Sequence, residues 1–127
     1  MSEEKRILYI DDNQDHLTIV QAMLQREGCN CDTHRDAEVG LQAALTENYD
    51  LILLDIQMPK INGLDMLTKL KKRQQEVSFQ IVALTADSSV FSRQSPFVLG
   101  FDAHLSKPIM PKDLSRTVNQ LLATPTT

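Results

Sequence analysis

Apolar runs end in polar side chains along the whole chain: Asp11 and Asp12 follow RILYI, Asp55 follows LILL, Thr85 follows QIVAL, and Lys107 follows AHLS. Three carboxylates, a hydroxyl and an ammonium form a set with a defined chemistry if the fold gathers them. Crowded carboxylates repel one another and ionise with more difficulty unless a cation stands among them. Mg²⁺ meets that need, because it takes oxygen ligands and keeps several waters. Two carboxylates and a backbone carbonyl suit it, with phosphate oxygens completing the shell. A lysine and a threonine then supply the fixed charge and the donor that stabilise phosphoryl oxygens during transfer. In such a set Asp55 is the candidate nucleophile, forming an aspartyl-phosphate.

The elements that must position these groups can be read from periodicity. Arg6 to Ile10 reads as a strand, and Asn13 to Glu27 as a helix with Leu17, Val20 and Leu24 on one face, stopped by Gly28. Asn30 to Arg35 forms a weaker strand, Asp36 to Asn48 a helix opened by a capping aspartate, and Leu51 to Leu54 an unbroken apolar strand. A helix from Gly63 to Gln75, a strand from Gln80 to Leu84, a helix before Gly100, a strand from Ala103 to Leu105 and a last helix from Pro111 to Ala123 complete the series. Strict alternation of strand and helix with wholly apolar strands implies an α/β fold: a parallel sheet with helices on both faces. Such sheets bind ligands where their strands end. All five strands run the same way, so Asp11, Asp12, Asp55, Thr85 and Lys107 converge on one edge. Singly each has a plainer reading, as a helix cap, a turn former or a solvated lysine. Their joint placement selects the chemical one.

Composition narrows the function classes. At 127 residues with 42% hydrophobic content the chain forms one domain with a real core. A net charge of -4 leaves no electrostatic footprint for nucleic acid or an anionic membrane. The polar start, MSEEKR, with only a short apolar run behind it, is neither a signal peptide nor a membrane span, which points to the cytoplasm. Cys29 and Cys31 lack the spacing of a redox pair and the neighbours of a zinc site, so they read as small buried side chains. No repeat, low-complexity block or linker interrupts the pattern. The expectation is a single domain over 1–123 with a disordered tail at 124–127.

Over nearly its whole length the chain resembles the receiver domain of two-component response regulators. The carriers are LYIDDN, DIQMPKING, the LTA step from Leu84 to Ala86, and SKPI from Ser106 to Ile109. The resemblance implies a doubly wound, flavodoxin-like sheet of order 2-1-3-4-5 flanked by five helices. It makes Asp55 the phosphoacceptor, taking a phosphoryl group from a phosphohistidine on a histidine kinase or a histidine phosphotransfer protein. Asp12 and Asp55 would ligate Mg²⁺ with the Gln57 carbonyl, and Asp11 would act through bound water. Thr85 would donate to a phosphoryl oxygen and Lys107 would pair with it. The Lys107-Pro108 bond resembles the family's cis peptide, and Met58, Pro59 and Gly63 would shape the loop after Asp55. Gln57 and Asp87 would flank the path of an attacking water and so tune the lifetime of the phosphoryl group. Phosphorylation would draw Thr85 inward and repack the fifth strand, moving a protein-binding surface made by the fourth helix, fifth strand and last helix. No appended enzyme activity is implied beyond self-phosphorylation and self-dephosphorylation.

This sequence departs from the family in two places. The repacking position, three residues before the lysine, usually holds Tyr or Phe and here is His104, a smaller ring that titrates near neutrality and would make switching weaker or sensitive to pH. Pro96 falls where the family's fourth helix runs, which predicts a shortened or displaced helix begun at Ser95 and Pro96, with Phe91, Phe97 and Phe101 partly covering the gap. Two rival readings stand beside the phosphoacceptor. One is an aspartate-nucleophile phosphohydrolase of the haloacid dehalogenase type, whose DxD acid and base position is filled here by Gln57, a residue that cannot move protons. The other is a pseudo-receiver that binds protein without phosphate. The SKPI ending and the helix after it lean toward the single-domain and hybrid-kinase receivers.

Overall fold

Short apolar segments closed by polar residues form the strands of a computed structural model that describes residues 5–58, 63–87 and 100–122. The strands are β1 (Arg6–Ile10), β2 (Asn30–His34), β3 (Leu51–Asp55), β4 (Gln80–Thr85) and β5 (Ala103–Ser106). They make one sheet in the order β2-β1-β3-β4-β5, and each neighbouring pair is parallel. Among the described residues the helices are α1 (Gln14–Arg26), α2 (Ala37–Thr46), α3 (Gly63–Arg73) and a C-terminal helix (Pro111–Leu122). The segment expected to hold the fourth helix, with Phe91, Pro96 and Phe97, lies outside the described residues, as do Pro59 and the tail from 123 onward.

The alternation of side chains along each strand divides the core in two. Leu8, Ile10, Ile52, Leu54, Ile81 and Ala83 pack with Met66, Leu67 and Leu70 of α3 and with Leu41 and Ala44 of α2. Ile7, Tyr9, Leu51, Leu53, Val82 and Leu84 pack on the other face with Leu17, Val20 and Leu24 of α1 and with Leu114 and Val118 of the C-terminal helix. All five residues of β3 are buried because helices cover both of its faces. Phe101 is buried in the first cluster.

Capping explains where the helices begin and end. The Asn13 side chain accepts from the His16 N–H at the start of α1, and Asp36 accepts from the Glu38 and Val39 N–H groups at the start of α2. After α1, Gly28 takes φ +80, its N–H donates to Gln25 O at 3.1 Å, and the Cys29 N–H donates to Leu24 O at 3.0 Å. That pair of bonds is a Schellman motif, and it needs a residue that tolerates positive φ.

Several boundaries differ from the sequence expectation by a residue or two. Strands β3, β4 and β5 each run one residue further, through Asp55, Thr85 and Ser106, because the ladder continues to the sheet edge. β2 stops at His34 rather than Arg35, and α2 stops at Thr46 because Glu47 is extended, with φ -118 and ψ 160. α3 stops at Arg73, where Gln75 and Glu76 donate to Lys72 O and Arg73 O and tighten the chain into turns.

Cys29 and Cys31 are not joined in a disulfide, and both are buried in the second cluster. Burial, aided by the charge of Asp32, pushes the Cys31 thiol up to about 12. At pH 8 its thiolate fraction is therefore about one in ten thousand. An aromatic disulfide reagent at pH 8 should label the native chain at least ~100-fold more slowly than the urea-unfolded chain. Comparable rates would show that β2 opens readily.

Candidate functional site

The parallel ladder carries the polar residues to one edge. Asp11 directly follows β1, and its N–H donates to His34 O at 3.2 Å, so the pairing with β2 continues through it. Asp55 closes β3 opposite Leu84, and Thr85 closes β4 opposite Ser106. The Lys107 N–H donates to Thr85 O at 2.8 Å, which extends the last pairing by one residue and aims the lysine back across the sheet. The Lys107-Pro108 peptide is cis, as the sequence resemblance implies.

Lys107 ties the cluster together. Its ammonium lies 2.7 Å from Asp11 Oδ2, 3.3 Å from Asp55 Oδ2 and 3.0 Å from His16 Nδ1. An ammonium can only donate, so in this contact His16 Nδ1 is the acceptor. Three donors thus meet three acceptors. Asp11 has two further donors: Oδ2 also accepts from the buried Tyr9 hydroxyl at 2.6 Å, and Oδ1 accepts from the Asn13 N–H at 2.9 Å. Asp55 Oδ1 accepts from the Gln57 N–H at 2.9 Å.

These partners push the two buried carboxylates apart. Burial raises the Asp11 carboxyl, but the bonds from Lys107, Tyr9 and the Asn13 N–H outweigh it and hold the group below its ordinary value. Burial also raises Asp55, and there it prevails: the nearby charge of Asp11 adds to it, against the Gln57 N–H and Lys107. Burial and the Asp11 carboxylate together drive the Tyr9 phenol far above its ordinary value, so it stays a donor. Asp11 is the anchored anion of the site and Asp55 the strained one.

Asp12, by contrast, is exposed at the edge. Asp11, Asp12 and Asp55 each offer one carboxylate oxygen, and these oxygens lie within 4.8 Å of one another. A donor set made only of oxygens fits a hard cation such as Mg²⁺, which takes oxygen ligands and keeps several waters.

The structure brings Asp11, Asp12, Asp55 and Lys107 together, as the strand ends predicted. Thr85 stands beside them on the sheet, but its buried hydroxyl is turned into its own loop, donating to Asp87 O at 3.0 Å while accepting from the Asp87 N–H at 3.0 Å. Gln57 reaches the same loop, where its Oε1 accepts from the Ala86 N–H at 2.8 Å. Met58 is buried after Asp55, and Gly63 opens α3. His104 is exposed on β5, paired with Ala83. Sequence reading did not reach Tyr9 or His16. Tyr9 could have been found from strand alternation, which puts it on the same side as Asp11 two residues on. His16 carried a weaker signal, a ring in the first turn of the helix that follows the acidic pair.

Residues 7–119 match the family described as the response regulator receiver domain. The chain belongs to that family. The alkaline phosphatase synthesis transcriptional regulatory protein PhoP of Bacillus subtilis is 36% identical over 118 residues, which cover 93% of this chain and 48% of PhoP. The chain spans about half the length of the curated relatives it matches. Among solved structures, the response regulator TrrA of Thermotoga maritima, in complex with Mg²⁺ and BeF, is similar at 34% identity and a TM-score of 0.82, covering 93% of this chain and 99% of TrrA. The chemotaxis response regulator CheY4 of Vibrio cholerae gives a TM-score of 0.84 at 26% identity, over 94% of this chain and all of CheY4. This receiver domain of two-component signalling therefore has the flavodoxin-like fold its sequence resemblance implied. Among its described residues no helix is long and apolar enough to cross a membrane.

Proposed function

We propose that this receiver domain accepts a phosphoryl group on Asp55 from a phosphohistidine of a histidine kinase or a histidine phosphotransfer protein, and passes the event to a protein partner in the cytoplasm. The observation that carries this reading is the Asp55 carboxylate at the end of the central strand, buried, raised in pKa by its surroundings and facing the Lys107 ammonium at 3.3 Å. In the reaction an Asp55 oxygen forms a bond to phosphorus as the bond between phosphorus and the donor imidazole nitrogen breaks. Lys107 then transfers its Asp55 contact to a phosphoryl oxygen while Asp11 keeps hold of it. Asp12 and Asp55, with the Gln57 carbonyl, would hold Mg²⁺, and Asp11 would reach it through water. Bound there, Mg²⁺ would neutralise the carboxylates and the charge that develops on the phosphoryl oxygens. The structure of TrrA with Mg²⁺ and BeF supports assigning the acidic cluster of this chain to the same ligands.

Thr85 and His104 would carry the signal outward. Thr85 would leave Asp87 for a phosphoryl oxygen, and the exposed His104 ring on β5 would repack in response. Asp87 and Gln57 flank that step and would set how long the acyl phosphate lasts.

Incubation with acetyl phosphate and Mg²⁺, followed by intact mass, tests the reading. The expected result is a gain of one phosphoryl group that disappears with EDTA and is lost on treatment with hydroxylamine, as an acyl phosphate is. No gain from acetyl phosphate or from a phosphohistidine donor, by a chain that is folded and binds Mg²⁺, would favour the pseudo-receiver.

A further inference from the structure

Two donors at the C-terminal end of β4, beside the cluster that holds Asp55, are both engaged in this structure. The Thr85 hydroxyl donates to Asp87 O, and the Ala86 N–H donates to Gln57 Oε1 at 2.8 Å, a bond between loops 29 residues apart in sequence. The backbone of Gln57 meanwhile donates to Asp55 Oδ1 at 2.9 Å. Gln57 therefore links the carboxylate that would be phosphorylated to the loop that would respond. A phosphoryl group at Asp55 brings ionised acceptor oxygens to this place, and these form stronger hydrogen bonds than a neutral carboxamide does.

We propose that the Gln57 carboxamide is a positioning residue that holds the Ala86 N–H in the resting form and must release it before the Thr85–Ala86 segment can turn onto a phosphoryl group at Asp55. This rests on the phosphoacceptor reading and adds to it. The role belongs to the side chain alone, so it is separate from the Gln57 carbonyl and from any effect on an attacking water. Both Gln57 and Ala86 are exposed, so water satisfies the freed groups and losing the bond costs the resting form no more than the net worth of one hydrogen bond. That cost falls on the resting form and so appears as a shifted equilibrium. Removing a competing acceptor favours the bound form by the net worth of one neutral hydrogen bond, about two- to tenfold in affinity.

Beryllium fluoride in the presence of saturating Mg²⁺ is the probe, because it mimics the phosphoryl group without a hydrolysis step. Its affinity would be measured by calorimetry for the wild type, Gln57→Met, which keeps the length of the side chain without its acceptor, and Gln57→Ala. Both variants should bind about two- to tenfold more tightly than the wild type. In the unliganded variants the Ala86 amide should also exchange faster with water than it does in the wild type, a change that a merely structural loss elsewhere would not localise there. Equal or weaker binding by both variants, with a wild type that binds, would overturn the latch and leave the phosphoacceptor reading standing. Absence of binding by the wild type would overturn the phosphoacceptor reading and the latch with it.

Discussion

Asp55→Asn should abolish the phosphoryl gain and yet leave the metal-free fold more stable than the wild type. The first effect follows from the nucleophile, because an amide oxygen does not form the acyl phosphate. The second follows from the environment. Asp55 is 4% exposed, and burial with the neighbouring charge of Asp11 raises its pKa, so keeping it ionised at neutral pH works against folding. Asparagine has the same shape, still accepts from the Gln57 N–H, and removes the charge. Lys107 keeps its shorter contact with Asp11, at 2.7 Å. Urea unfolding in EDTA should therefore show a higher midpoint for the variant. Added Mg²⁺ should stabilise the wild type more than the variant, because ligand binding to the native state raises stability only where the site can bind. A lower midpoint for Asp55→Asn in EDTA would mean that Asp55 is a stabilising partner of Lys107 rather than a strained carboxylate.

The sequence makes the same division visible in part. Unbroken runs such as LILL and IVAL require a strand covered on both faces, and parallel strands so covered must end along one edge. Asp11, Asp12, Asp55 and Lys107 could therefore be placed together from strand ends alone, and the structure does place them together. Backbone pairing fixes their positions, and a pattern of residue types is enough to reveal backbone pairing. What happens at the tips of side chains follows other rules. His16 meets Lys107 because of the rotation of α1 about its axis, and Tyr9 meets Asp11 because its ring spans two residues of one strand face. The turn of the Thr85 hydroxyl toward Asp87, and the reach of Gln57 to Ala86, depend on the local path of two loops. Loop paths leave no periodic trace. The extra residue at the ends of β3, β4 and β5 has a related cause, since a polar residue can still complete a ladder whose apolar run has ended.

Lys107→Met should have the opposite effect on stability to Asp55→Asn, and a larger one. Removing one partner from a buried ion pair leaves an uncompensated charge and typically costs about 3–5 kcal/mol. Here two carboxylates are left behind: Asp11, whose side chain is fully buried, and Asp55, whose side chain is 5% exposed. Tyr9 and the Asn13 N–H still donate to Asp11, which places the expected loss near the lower end, about 3 kcal/mol. That is a large share of the roughly 5–15 kcal/mol that a domain of this size holds. Methionine preserves the apolar stem of the lysine, so the loss reports the charge rather than the packing. Because the missing group is a cation among carboxylates, Mg²⁺ should restore more stability to this variant than it adds to the wild type. Phosphate uptake should stay slow even when the fold is restored, about 10²-fold below the wild type, because a cation held among the carboxylates does not replace the ammonium that stabilises the transferring oxygens. Unfolding midpoints with and without Mg²⁺, and the rate of phosphate gain at saturating Mg²⁺, measure the two roles of Lys107 separately. If Mg²⁺ rescued both stability and rate, Lys107 would be a structural counter-ion alone. If it rescued neither, the carboxylates would depend on the geometry that the ammonium imposes through Asp11 and His16 rather than on its charge.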